Sequence, residues 1–134
     1  MTRTHILAVL AYVAATFAVQ ATSHFLVAAE HYASISFMRR DPIISMGIAS
    51  MVIQGLAFSW MFSRMPRRAI GDAVRFALVA GSVIVSYIAL GEAGKYAVPS
   101  VARWIGQEVG AGLVQFALYG VLLGLVYRTA PARS

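Results

Sequence analysis

The sequence predicts an all-α polytopic membrane protein, a single domain over residues 1–134 in which four transmembrane helices form one bundle. Apolar residues make up 60% of the chain and charged residues only 12%, whereas soluble domains carry about 25% charged residues. Four apolar stretches lie between the charged clusters, and each is long enough to cross a hydrocarbon core about 30 Å thick. None alternates in polarity as a barrel strand does. Helices are therefore expected, because they satisfy their own backbone groups in lipid.

The four predicted helices span residues 5–29, 43–63, 69–91 and 105–127. The first follows Arg3, and its apolar run exceeds the ~7–15 residues of a signal peptide, which favours a retained span. The second is expected to use Asp41 as its cap, with Pro42 in the first position, where a missing N–H costs nothing. The third carries Asp72 and Arg75 in its first turns, near enough to an end to reach the headgroups.

Two loops lie on the side of the membrane opposite the termini. The first, "EHYASISFMRR" at residues 30–40, is too short and too apolar to form a domain and is expected to lie along the interface. The second contains Gly91, Gly94 and Pro99, which break the helical pattern. Tyr96 and Trp104 beside these breakers are placed for an aromatic belt.

Basic residues predict the orientation and the lipid contacts. The side with the termini holds six, against four on the other side: Arg3, Arg64, Arg67, Arg68, Arg128 and Arg133, against Arg39, Arg40, Lys95 and Arg103. The positive-inside rule then places both termini in the cytoplasm. Arg64, Arg67 and Arg68 are expected at anionic lipid headgroups, where each contributes about 1 kcal/mol. The net charge of +6 is dispersed, which argues against nucleic acid as a partner.

Motifs for covalent or cofactor chemistry do not occur in the sequence. It has no cysteine, so disulfides and thiolate metal sites are excluded. It also lacks a phosphate-binding loop, a nucleophile elbow and the histidine pair of metalloproteases. The sequence therefore indicates no cofactor and no metal.

The fourth predicted helix carries a stripe of small residues. Its members recur at spacings of four, seven, three and four, and they are Gly106, Gly110, Ala117, Gly120 and Gly124. The stripe contains two GxxxG units, which let another backbone approach closely. Two interpretations remain open: packing against the chain's own helices, or a seam for a second copy or another membrane subunit.

Polar residues inside the predicted spans are expected to pair across the bundle. These are Gln20, Gln54, Tyr87 and Gln115, whose hydrogen bonds would fix the register of the helices.

A second polar set, toward the side opposite the termini, predicts a vestibule formed by His24, Glu30, His31, Glu92 and Glu108. On a continuous helix Gln20, His24 and His31 fall within an arc of ~40°. His24 and His31 are ~10.5 Å apart along the axis, too far to share one metal ion. Partly buried histidines and carboxylates can titrate between about pH 5 and 8, which suits a proton or solute path.

From "RFALVAGSVIVSYIALGE" at residues 75–92 to "GVLLGLVYR" at residues 120–128, the chain resembles small uncharacterised four-helix integral membrane proteins of bacteria. The resemblance covers roughly half of the length. It implies a four-helix protein of the bacterial cytoplasmic (inner) membrane, and it lends no activity and no functional residues.

Three functions follow from these patterns. The first is a structural or interaction role, as a homo-oligomer or an accessory subunit of a larger membrane complex joined through the small-residue stripe. The second is a transporter or channel for a small cation, proton or polar solute that enters at the vestibule. The third is a lipid- or quinone-directed enzyme with His24 and Glu108 as acid and base, which no nucleophile or cofactor motif accompanies.

Overall fold

The computed structural model describes residues 3–39 and 41–128, and every regular element in these ranges is helical. Arg40 and Arg133 of the charge comparison lie outside the described residues. The helices are α1 (Arg3–Thr22), α2 (Ala29–Ala33), α3 (Ile44–Phe62), α4 (Ile70–Ser86) and α5 (Val101–Arg128). A π-helical turn extends α1 over Ser23–Val27 and another extends α4 over Tyr87–Glu92.

Four of the described helical segments are long and apolar enough to cross a membrane, which confirms the predicted fold class. They are Arg3–Val27, Ile44–Phe62, Ile70–Glu92 and Val101–Arg128. Helix α5 packs against α1 and α4, and α1 also packs against α3, whereas α3 and α4 make few contacts. We call the end that holds Arg3 and Arg128 the termini end, and the end that holds the connections at 28–43 and 93–100 the loop end.

The four spanning helices start one to four residues from their predicted positions, and two of these differences change the helix cap. Helix α3 begins at Ile44, and the residue before it, Ile43, has non-helical φ and ψ of −81° and 86°, so Pro42 lies outside the first turn and Asp41 is not the cap. Helix α5 begins four residues earlier than the predicted 105, at Val101. The Ser100 hydroxyl accepts a hydrogen bond from the backbone N–H of Arg103 at 3.3 Å, which caps this earlier start.

The π-helical turn at Ser23–Val27 changes which residues share a face. The Ala28 N–H donates to the Ser23 carbonyl at 2.8 Å, and Ala28 then leaves the helical region with φ −122° and ψ 25°. His31 consequently belongs to the separate helix α2. The predicted arc of Gln20, His24 and His31 is wrong, because it assumed one continuous α-helix.

An aromatic core fills the half of the bundle toward the termini end. Tyr12, Phe58, Phe62, Tyr119 and Leu123 are all buried there. The rings of Tyr12 and Tyr119 meet edge to face with their centroids 4.9 Å apart. Such contacts between aromatic rings contribute about 0.5–1.5 kcal/mol beyond the burial of their area.

Helices α4 and α5 touch backbone to backbone in the same half. A Cβ atom at Gly120 would lie 2.6 Å from the Cα of Val74, and one at Gly124 would lie 2.7 Å from the Cα of Ile70. Only glycine fits at separations this short.

Several polar side chains at the termini end bond to one another or to the backbone, although the buried Tyr119 hydroxyl has no partner among the described residues. His5 Nδ1 lies 2.7 Å from the Ser59 hydroxyl, and the Tyr127 hydroxyl donates to the Ser59 carbonyl at 2.9 Å, which joins α1, α3 and α5. Arg68 donates to the Ser63 carbonyl at 2.9 Å. Arg64 lies over the Trp60 ring, 4.9 Å from its centroid.

A smaller core lies at the loop end around Trp104, which is only 3% exposed. Its indole N–H donates to the carbonyl of Ile88, in the π-helical turn of α4, at 3.1 Å. Trp104 is therefore not the interfacial belt residue that the sequence predicted, because the segment with Tyr32 and Ile35 folds back beside it. Tyr96 remains exposed and packs on Phe37 with ring centroids 4.8 Å apart.

Candidate functional site

A cleft of 210 Å³, mostly apolar in its lining but with several polar side chains, opens between the four spanning helices in the half toward the loop end. Its polar lining comes from α1, α3 and α5, and consists of Thr16, Gln20, Ser50, Gln54, Glu108 and Gln115. Aliphatic side chains of α4, including Ile84 and Ile88, form the opposite wall. The cleft exists because the first part of α3 stands away from the bundle: residues 41–50 are all exposed, and the Cβ position of Gly47 has no neighbour within 4 Å.

Two carboxamides join α1 to α5 at the base of this cleft. Gln20 Nε2 donates to Gln115 Oε1 at 2.7 Å, and Gln115 Nε2 donates to the Thr16 hydroxyl at 3.1 Å. Thr16 and Gln20 are four residues apart and share one face of α1, so a single glutamine of α5 meets both. This network fixes the register of the two helices and orients the Gln20 side chain.

The third carboxamide joins α1 to α3. The Tyr12 hydroxyl donates to Gln54 Oε1, and Gln54 Nε2 donates to the Ser50 hydroxyl at 3.1 Å. Tyr12 therefore has two roles, since its ring belongs to the aromatic core and its hydroxyl bonds to a residue that lines the cleft.

Glu108 is the charged residue of the lining, and it is only 8% exposed. The Tyr32 hydroxyl donates to Glu108 Oε1 at 2.7 Å. Burial and the bond to this carboxylate both raise the pKa of Tyr32, so its hydroxyl remains a proton donor. Glu108 forms no ion pair with any residue in 3–39 or 41–128.

Tyr32 also separates Glu108 from His24. Its ring stacks on the His24 imidazole with centroids 3.8 Å apart and planes 10° from parallel. His24 Nδ1 lies 3.0 Å from the Gln20 carbonyl, within its own helix. The two residues proposed above as acid and base are thus connected through a tyrosine and do not contact each other.

The remaining vestibule residues lie apart from the cleft. Glu30 is exposed, Glu92 is half-buried, and neither lines the cleft. His31 is buried against Trp104, and its Nε2 has no hydrogen-bond partner among the residues that the structure describes. Of the five residues predicted to form the vestibule, Glu108 alone lines the cleft. Among the side chains that the structure describes, no group of three or more His, Cys, Asp or Glu residues could hold a metal ion.

Tyr87 also differs from its expected role. It is exposed and accepts a hydrogen bond from Lys95 Nζ at 3.0 Å, at the loop end of its own helix, so it makes no bond across the bundle. The sequence interpretation overlooked Tyr12, although its spacing from Thr16 and Gln20 places all three on one helical face. It also overlooked Tyr32, for which the sequence carries no comparable signal.

The small-residue stripe of α5 is divided in two. Gly120 and Gly124 pack against α4, whereas the Cβ positions of Gly106 and Gly110 have nothing within 4 Å, and Ala117 is half-buried. The packing of α5 within the chain therefore uses only part of the stripe, because α5 and α4 are in backbone contact only toward the termini end. Gly112, outside the stripe, faces Val85 and lines the cleft.

Comparisons with known proteins give no relative for this site. No family model matches the chain, and no curated protein or solved structure matches it. The chemistry of the cleft is therefore inferred from its own residues: a carboxylate, three carboxamides and two hydroxyls, facing an apolar wall.

Proposed function

We propose that the protein is a membrane carrier that binds a small polar solute in the cleft between its spanning helices. One observation supports this above the others: Gln20, Gln54, Glu108 and Gln115 converge on the cleft from three different helices. Polar and ionisable groups at membrane depth are costly and commonly mark solute pathways. If these residues served only to fix the register of the helices, their hydrogen-bonded pairs would be sufficient. An open cleft beside the pairs would then have no role.

The size and shape of the cleft favour a carrier of small solutes. Its 210 Å³ holds about seven water-sized groups at ~30 Å³ each. Toward the termini end the bundle is closed by the buried aromatic core around Tyr12, Phe58 and Tyr119. A solute would therefore cross only when this half of the bundle rearranges, as in alternating access.

Uptake into proteoliposomes tests the proposal. Radiolabelled urea, glycerol and methylammonium serve as probes, with the wild-type chain, Gln115→Leu and Gln107→Leu. Gln107 is a matched control, since it also bonds to α1, through Ser23 at 2.8 Å, but does not line the cleft. We expect uptake of at least one probe, reduced by Gln115→Leu and retained in Gln107→Leu. Uptake equal to that of protein-free liposomes for all three probes would contradict the proposal.

An interaction role is the second candidate, and the open flank of α5 favours it. Gly106 and Gly110 form a GxxxG unit that the chain's own helices do not cover. A second copy or another membrane subunit would approach α5 there. The variant Gly110→Leu is expected to shift the oligomeric state in mild detergent, measured by light scattering, while His24→Ala leaves it unchanged. A monomeric wild-type chain that Gly110→Leu does not alter would exclude this role.

We infer that the protein resides in a bacterial cytoplasmic membrane with both termini in the cytoplasm. Supporting this, Arg64 and Arg67 are exposed at the termini end, where they can contact anionic headgroups. A fluorescent reporter that matures only in the cytoplasm, fused after the last residue, should be bright. A dark fusion that is nevertheless expressed would reverse the orientation.

A further inference from the structure

We propose that the cleft selects small organic cations that carry several N–H donors, of the alkylammonium or guanidinium class. This inference rests on the proposed function and narrows it to one chemical class. It follows from the charge of the lining, from the hydrogen-bonding groups that remain free, and from the apolar wall.

The charge of the lining is negative. Glu108 contributes a carboxylate, and none of the residues that line the cleft is a lysine, arginine or histidine. No described residue forms an ion pair with Glu108. A carboxylate that is only 8% exposed at membrane depth requires compensation, and a bound cation would supply it.

The strongest free hydrogen-bonding group is an acceptor, the Glu108 carboxylate. The side-chain nitrogens of Gln20, Gln54 and Gln115 each donate one N–H to another side chain and keep a second, uncharged N–H. By contrast, Gln20 Oε1 and Glu108 Oε2 accept no hydrogen bond from the residues the structure describes. A ligand rich in N–H groups matches this set, and an anion would find no positively charged donor.

The apolar wall limits the rest of the ligand. Ile84, Val85 and Ile88 of α4 face the polar side of the cleft, with Phe116 of α5 beside them. A short alkyl group lies against such a wall without losing hydrogen bonds, while its charged head faces Glu108. A monoalkylated cation therefore fits both sides of the cleft.

Saturation-transfer NMR on protein in lipid nanodiscs tests the selection with four methyl-bearing probes. Methylammonium and methylguanidinium carry both the charge and N–H donors. Tetramethylammonium keeps the charge without N–H groups, and N-methylurea keeps N–H groups without the charge. We expect the first two to bind at least about tenfold more tightly than the last two, because only the first two combine the positive charge with N–H donors for Glu108.

The pair Glu108→Gln and Glu30→Gln locates the site. Glu30 is an exposed carboxylate at the same end of the bundle, outside the cleft. Glu108→Gln should weaken methylguanidinium binding by about tenfold or more, whereas Glu30→Gln should leave it unchanged. The variant amide oxygen still accepts from Tyr32, and a thermal melt checks that the fold is retained. If the variant does not fold, the wild-type series of four probes decides alone.

The outcomes separate this inference from the proposed function. If N-methylurea binds as tightly as methylguanidinium, the cleft is a polar site but the assignment to cations is overturned. If tetramethylammonium binds as tightly as methylguanidinium, the selection for N–H donors is overturned. If methylguanidinium binds to Glu108→Gln as tightly as to the wild-type chain, the placement of the site at Glu108 is overturned. If none of the four probes binds and no solute enters proteoliposomes, the proposed function itself fails.

Discussion

The two halves of this bundle contain similar residue types in different surroundings. Toward the termini end, α4 and α5 touch at Gly120 and Gly124, and the polar atoms of His5, Ser59 and Tyr127 bond to one another. Toward the loop end, α3 stands apart, two helices end in π-helical turns, and the polar side chains border an open cleft.

If the proposed function holds, this difference places the stabilising contacts in one half of the bundle and the binding region in the other. Close backbone contact and buried rings give rigidity but leave no room for a ligand. π-Helical turns are uncommon and occur frequently at functional sites. The loop half has both features expected of a binding region, namely accessible polar groups and irregular helix geometry. The following substitutions test this division.

The largest loss of stability is expected from a substitution where the backbones of α4 and α5 touch. Gly120→Ala places a Cβ 2.6 Å from the Cα of Val74 and forces α4 and α5 apart, whereas Gly110→Ala meets nothing within 4 Å. We expect Gly120→Ala to lower the free energy of unfolding by about 1–3 kcal/mol, a typical overpacking cost. Gly110→Ala should leave it unchanged or slightly raised. Thermal unfolding in detergent compares the two, and equal stability would show that the termini half is not tightly packed.

An intermediate effect is expected for the amide pair at the base of the cleft. In a double-mutant cycle, Gln20→Leu and Gln115→Leu should show a coupling free energy of about 0.6 kcal/mol and at most about 1.7 kcal/mol, the range for hydrogen bonds between membrane helices. The bond of 2.7 Å between these side chains is the physical basis. Additive single-mutant effects in chemical unfolding would mean that the two amides do not pair in the membrane.

The smallest effect on the free energy of unfolding is expected when the pH is lowered. Burial, and to a lesser degree Arg103, lower the pKa of His31 below its ordinary 6.5, and Glu108 opposes this shift. Tyr32 and Trp104 are the other groups that face the ring. Below pH 6.5 the unfolded chain binds a proton more readily than the folded chain, so stability is complete above this pH and falls as the pH drops.

The slope of that fall is limited to one proton, about 1.4 kcal/mol per pH unit. Measuring the unfolding free energy between pH 5 and pH 8 (about the range in which histidines titrate) should show a fall with acid in the wild-type chain that is shallower than this limit. The fall should be reduced in His31→Asn. A profile that the substitution leaves unchanged would assign the acid sensitivity to another group.

Composition was sufficient to predict the four spans, because each is a long apolar run between charged residues. The packing partners were not predictable in the same way. A GxxxG unit indicates that a backbone can approach, but it does not identify which one, so Gly106–Gly110 and Gly120–Gly124 appeared equivalent although only the second pair contacts α4.

The cleft was predictable only in part. Helical spacing identified Gln20, Glu108 and Gln115 as polar groups inside the membrane. The gap between α3 and α4 is a property of the assembled bundle, which no local pattern encodes. The chain reversal after Ala28 brings Tyr32 back to Glu108, and the π-helical turn before it invalidates side-chain directions counted at 100° per residue.

Cysteine labelling tests most directly the claim that the loop half holds a water-accessible polar cleft. The chain has no native cysteine, so single cysteines can be introduced and reacted in liposomes with a membrane-impermeant, water-soluble thiol reagent. Ser50 lines the cleft, whereas Ile53, one turn away on α3, is 67% exposed but does not line it. We predict that Ser50→Cys reacts rapidly, that Ile53→Cys, facing lipid, does not, and that methylguanidinium protects Ser50→Cys. Equal and slow labelling at the two positions would contradict the account.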